Sequence, residues 1–84
     1  MIKVEVFASE PPCSGGRLLL KLIDRVRPDY EDKAEFIVHK GVNDATETYG
    51  LATTPAIIID GDIRIIGVCP SEETLRNAFF EAGL

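Results

Sequence analysis

The fold of this chain turns on Tyr49-Gly50-Leu51-Ala52-Thr53-Thr54-Pro55-Ala56-Ile57-Ile58-Ile59-Asp60-Gly61. Pro55 opens a continuous apolar run from Ala56 to Ile59, which suits a strand buried on both faces. Asp60-Gly61 is a tight hairpin signal, so the chain should return as a further strand over Ile63 to Val68. Ahead of the proline, Asn43 is placed to cap a short helix over Asp44 to Tyr49. Gly50 is placed to end that helix in the left-handed region.

Towards the N-terminus, Ile2, Val4 and Val6 alternate with Lys3, Glu5 and Phe7, the period of a strand over Ile2 to Ala8. Ser9 to Gly16 holds two prolines, two glycines and Cys13, which reads as a loop. From Arg17 the period becomes helical, with Leu18, Leu19, Leu22, Ile23 and Val26 on one stripe, and Pro28 ends the helix at Arg27. Asp29 to Asp32 is a polar link. Ala34 to His39 is a strand, with Phe36 and Val38 on one face, and Gly41-Val42-Asn43 turns the chain. Towards the C-terminus, Ser71 caps a helix whose Leu75, Ala78, Phe79 and Ala82 form one stripe, and Gly83 ends it. The order is β-α-β-α-β-β-α. A helical crossover makes the first two strands parallel and a hairpin makes the last two antiparallel. The expected architecture is α/β, a mixed four-stranded sheet with helices on both faces.

Eighty-four residues make one domain, 1–84, with a modest core. A net charge of −5 argues against nucleic acid and anionic membrane surfaces as partners. The charged start Met1 to Val6 lacks the apolar run of a signal peptide, and no apolar stretch approaches a membrane span. The expectation is a cytoplasmic protein. Two cysteines are too few for a disulfide scaffold or a structural zinc site, and Asp60 and Asp62 read as turn residues rather than metal ligands.

The segment from Tyr49 to Gly61 resembles the proline segment of the thioredoxin superfamily: a short helix ending near Tyr-Gly, a Thr-Pro dipeptide, a central strand and a glycine turn. The strand Val4 to Ala8, followed by a Pro/Cys loop and a helix, is similar to that family's first strand and active-site loop. The resemblance covers the whole chain. It implies that Pro55 is a cis proline facing the nucleophilic cysteine, and that Thr54 offers backbone groups to a peptide or to glutathione. It also implies that Cys13 is the attacking thiol, flanked by Pro12 and Ser14. A thiol at a helix start feels the positive end of the dipole, which favours the thiolate. Ser14 is placed to add a hydrogen bond. Gly16 stands where the family's Cys-x-x-Cys has its second cysteine, Pro12 stands where an aromatic residue often precedes the first, and Val6 replaces the acid buried just before the strand's Phe. A single cysteine is similar to monothiol glutaredoxins, although Ser14-Gly15-Gly16 is not their Gly-Phe-Ser.

Cys69, just past the fourth strand, should lie on the same edge as Cys13. With the third strand between them, two strand spacings, roughly 10 Å, separate them. A direct disulfide needs Cα atoms within about 7 Å. Cys69 is therefore either a redox-linked or resolving thiol reached by movement, or a small apolar residue packed under the last loop. His39 stands alone on the second strand and reads as a surface or half-buried histidine. The implied function is thiol-disulfide exchange, with a protein or glutathione disulfide as partner, no required cofactor and glutathione as a candidate co-substrate. The alternatives are a non-catalytic peptide-binding module, in which Cys13 is an incidental loop thiol, and a redox sensor that uses both cysteines.

Overall fold

The computed structural model describes residues 1–41, 44–51 and 53–84. The cap expected from Asn43 lies outside these residues. β1 (Ile2–Ala8), β2 (Ala34–Lys40), β3 (Ala56–Ile59) and β4 (Ile63–Ile66) alternate with α1 (Ser14–Val26), α2 (Asp44–Thr48) and α3 (Glu72–Glu81) in the expected order. Among the described residues the strands form one sheet in the order β2-β1-β3-β4. β2 runs parallel to β1, and β3 runs antiparallel to both β1 and β4.

β3 is the strand buried on both faces, with Ala56, Ile57, Ile58 and Ile59 all fully buried. Side chains alternate across a strand. Val4 and Val6 of β1 and Ile57 and Ile59 of β3 therefore share one face, and they join a single core with Leu19, Leu22, Ile23 and Val26 of α1. Leu75, Ala78 and Phe79 of α3 complete that core. On the opposite face Phe7, Ala56 and Ile58 form a smaller cluster, closed by Tyr49 and Leu51 at the end of α2. Each large aliphatic side chain buried this way contributes about 1.5–3 kcal/mol before chain entropy is counted.

The element ends show which local forces decide. α1 starts three residues before the expected Arg17, because Cys13 supplies the cap and the Ser14-Gly15-Gly16 segment closes the first turn. Pro28 does stop the helix: a 3-10 turn over Arg27–Asp29 follows Val26 directly. β4 ends at Ile66 rather than Val68, because Gly67 turns to φ 86 and its N–H donates to the Pro55 carbonyl at 2.8 Å. Asp60 and Gly61 both take positive φ, 56 and 69, in a turn that the Asp62 N–H closes on the Ile59 carbonyl at 3.1 Å, and three residues, Asp60 to Asp62, separate the paired Ile59 and Ile63. Ser71 caps α3 by accepting from Thr74 N at 3.1 Å. Arg76 of α3 pairs with Asp29 at 2.9 Å and Glu72 at 3.1 Å, fastening α3 to the end of α1.

Phe79 meets Tyr30 edge-on at 4.7 Å and Phe36 at 6.1 Å in the main core. Its neighbour Phe80 is 79% exposed. Phe79→Ala is expected to cost about 3–5 kcal/mol in urea unfolding, whereas Phe80→Ala stays within roughly 0.5 kcal/mol. Equal losses for the two would contradict this assignment of the core.

Candidate functional site

β1 ends at Ala8, and the loop from Ser9 to Pro12 carries the chain to the start of α1. Cys13 is the N-cap: its backbone is extended (φ −72, ψ 176) and its Sγ accepts from Gly16 N at 3.4 Å. Arg17 N donates to the Cys13 carbonyl at 2.9 Å, the first rung of the helix ladder. The thiol is exposed, and the first turn of α1 carries no acidic residue to offset the helix dipole. The Gly16 N–H is the main cause that holds the thiol below its ordinary pKa. Partial desolvation opposes it, and the Ser9 hydroxyl and the Gly15 N–H add to it. Ser9 Oγ accepts from Cys13 N at 3.2 Å and donates to the Pro11 carbonyl at 3.0 Å. Its single proton can rotate to the sulfur when charge develops there. The neighbouring hydroxyl that reaches the sulfur is thus that of Ser9 rather than Ser14, which is exposed at the first helical position.

The two glycines of this turn are close-packed. A Cβ at position 16 would lie 3.4 Å from Pro12 Cβ, 3.5 Å from Ala8 Cβ and 3.7 Å from Cys13 Sγ. A Cβ at position 15 would lie 3.4 Å from both Cγ and Cδ of Pro55. The ring of Pro55 is therefore seated on the first turn of α1, so Pro12, Cys13, Ser14 and Pro55 gather at one edge of the sheet. Pro55 is buried and Thr54 half-buried. The peptide bonds Thr54–Pro55 and Glu10–Pro11 are cis.

Thr54 also lines a cleft of about 530 Å³ on the α2 side of the loop. Ser9 and Glu10 form one wall, Glu47 of α2 and Leu51 another, and Thr53 continues it towards the proline. Cys69 is placed differently from Cys13. It is half-buried against the α1/α3 core, its Sγ lies 3.5 Å from the Pro70 carbonyl, and burial pushes its pKa up. Both cysteines are free thiols. Among the described residues no group of three or more His, Cys, Asp or Glu is placed to hold a metal ion.

Two features escape a reading of the sequence. Ser9 looks like an ordinary loop residue; a Ser two positions before a proline is a turn signal at most. Glu5 looks like the polar alternate of a half-exposed strand, yet only 8% of it is exposed. β1 lies between β2 and β3 under α2, so its second face is covered too. Glu5 Oε1 lies 3.3 Å from His39 Nε2, and the His39 ring stacks on Phe7 at 4.6 Å. The Tyr49 hydroxyl donates to Glu5, and this bond is the main cause that raises the phenol's pKa. The signal available was topological: β1 is an inner strand of a sheet expected to carry helices on both faces, so both of its faces are covered.

A small α/β domain with an exposed, helix-capping thiol beside a buried proline belongs to the thiol-disulfide redox class. Comparison with known proteins places it more closely. Residues 2–80 match the family model described as a thioredoxin domain. The chain is 31% identical over 80 residues to a probable thioredoxin of Methanothermobacter marburgensis, covering 93% of this chain and 92% of that protein. It is 30% identical over 79 residues to a thioredoxin of Methanocaldococcus jannaschii, covering 92% and 91%. The solved thioredoxin of Malassezia sympodialis superposes with a TM-score of 0.77 at 14% identity, over 99% of this chain and 76% of that one. The Deadhead thioredoxin of Drosophila melanogaster gives 0.72 at 18% identity, over 95% and 79%. These last two establish the fold. The chain belongs to the thioredoxin family, whose substrates are in general proteins. Among the described residues no helix is long and apolar enough to cross a membrane.

A lowered thiol pKa in the folded chain means that its stabilising contacts are present above the unfolded thiol's pKa. They are lost as pH falls through the folded value. Iodoacetamide at pH 7 should therefore alkylate Cys13 severalfold faster than a short unstructured cysteine peptide, and faster still than Cys69. Ser9→Ala should shift the Cys13 pH–rate profile towards higher pH. A profile identical to wild type would remove Ser9 from the site.

Proposed function

We propose that this protein carries out thiol-disulfide exchange through Cys13 alone. The observation behind the reading is the Cys13 Sγ at the cap of α1, exposed, accepting from Gly16 N, with Pro55 seated on the same helical turn. The Cys13 thiolate attacks one sulfur of a client disulfide. A Cys13–client disulfide forms, and the client's other sulfur leaves as a thiolate that takes a proton from water. An external thiol then attacks the Cys13 sulfur, the client leaves as its second thiol, and a second external thiol regenerates Cys13 while forming the external disulfide. Atoms and electrons balance with two reducing thiols for each client disulfide. Glutathione or a partner protein supplies them, and the cycle as written needs no bound cofactor. A reducing cytoplasm is the setting that suits such a cycle.

Cys69 is the weaker candidate for the resolving or redox-linked thiol. Its burial and raised pKa disfavour its thiolate, and it is not bonded to Cys13. One observation favours a second reading. The cleft along Ser9-Glu10 and Thr53-Thr54 offers room for an extended chain beside Thr54-Pro55, so a non-catalytic peptide-binding module fits the same surface.

An insulin- or glutathione-coupled disulfide reduction assay separates the readings. Wild type should be active, Cys13→Ser inactive and Cys69→Ser close to wild type; a Cys13→Ser protein with full activity would transfer support to the binding module. Gly16→Cys adds a second test. Its Cβ would stand 3.7 Å from Cys13 Sγ at the cost of small shifts at Pro12 and Ala8. Mild oxidation of that variant should give a 13–16 disulfide detectable by mass spectrometry, and insulin reduction should rise above wild type. Persistence of two free thiols there would mean that Cys13 is not aimed at the turn.

A further inference from the structure

The cleft beside Cys13 carries a charge that thiol chemistry does not require. It begins in the same loop as the thiol, where Ser9 accepts from Cys13 N, and it ends at Thr53 and Thr54 just ahead of the proline that packs on α1. Cys13 is outside the lining, and Ser9, which lines the cleft and bonds Cys13 N at 3.2 Å, links the two. Glu10 and Glu47 are the ionisable side chains among its described lining residues. Both are exposed, and neither joins an ion pair among the described residues. Glu10 lies beside Gly41, another lining residue, where a Cβ would meet Glu10 Cβ at 3.7 Å. Arg17 reaches the same loop from the α1 side, with Nη1 3.5 Å from the Pro12 carbonyl, and is outside the lining.

We propose that this cleft is a specificity subsite for a cationic side chain, lysine or arginine, next to the client cysteine that Cys13 attacks. Glu10 and Glu47 are the residues that select it. The proposal rests on Cys13 being the attacking thiol and adds the class of client. The fit is one of chemistry as well as charge. A volume of about 530 Å³ admits a long side chain. Leu51 and the glycine backbones suit its methylene stem, and the exposed Glu10 and Glu47 carboxylates suit its charged head. The net charge of −5 works in the same direction over longer range. An anionic disulfide, oxidised glutathione included, meets repulsion both in the cleft and on approach.

The test uses three capped tripeptides, Xaa-Cys-Xaa, with lysine, glutamine or glutamate at both flanks and each cysteine carried as its 2-thiopyridyl mixed disulfide. Cys13 attacks the peptide sulfur, the Cys13–S–S–peptide bond forms, the bond to thiopyridine breaks, and the released thiopyridine takes a proton and absorbs. Each rate is divided by that of a small free thiol with the same peptide. Wild type should react in the order lysine, glutamine, glutamate, with about tenfold between the ends at low salt. Glu10→Gln/Glu47→Gln should reduce that span to about twofold. Glu35→Gln/Asp62→Asn removes the same charge at the opposite end of the sheet, and should keep most of the span. A flat order in wild type overturns the proposal, and so does a span that the two double variants reduce equally. Absence of exchange with every peptide would instead remove Cys13 as the attacking thiol, and the subsite with it.

Discussion

The complete burial of β3 is the constraint on which the rest depends. Four consecutive apolar residues must be covered on both faces and paired on both edges, since any backbone group left without a partner in such a place is costly. That demand puts β1 on one side of β3 and β4 on the other, α1 and α3 on one face and α2 on the opposite one. It also fixes the site. Pairing Phe7 with Ala56 brings the end of β1 level with the start of β3, so the loop that leaves β1 must pass the residue that opens β3. The helical turn that Cys13 caps and Pro55, 42 positions further along the chain, come together through this register.

Much of this was legible in the sequence, because the periods were clean and the punctuation was strong. The apolar run after Pro55, the Asp60-Gly61 turn, the helical stripe of Leu19, Leu22, Ile23 and Val26 and the Ser71 cap each have a single local cause, and the structure places them accordingly; Leu18, expected on the same stripe, is 59% exposed instead. Where the reading missed, tertiary packing overrode local preference. Gly15 and Gly16 suggest a loop by propensity, yet they are helical, because at those two positions the backbone must approach Pro55, Pro12 and Ala8. Glu5 was concealed by the rule that charge faces water, which fails for a middle strand. The cleft was concealed by distance. Its walls come from segments near residues 9, 47 and 53, and only the folded chain brings them together. Gly16, by contrast, was legible from the start as the missing second thiol.

The two cysteines illustrate how position sets reactivity. Both follow strands that end at the same edge, and both have lone pairs and protons of the same kind. Cys13 meets backbone N–H groups at a helix start, which favour the ion; Cys69, among the described residues, meets the carbonyl of its own neighbour and an apolar wall, and burial there favours the neutral thiol. A resolving group at Gly16 would have shared the first environment. With glycine there instead, Cys13 is the sulfur of this turn that the helix start favours as the ion.

The unequal faces of the sheet have a consequence for how such a domain can change over time. Nearly all the large oily volume is on the α1/α3 side, while the α2 side holds Glu5, His39 and Tyr49 beneath the walls of the cleft. Most of the core and the cleft proposed to select a client are therefore on opposite sides of one sheet, with Cys13 at the start of α1. Exposed positions of α2 and its loops, such as Glu47, can change with little effect on melting, whereas Tyr49 and Leu51, which close the second face of β3, cannot. A lineage of such domains would be expected to diverge first on that side.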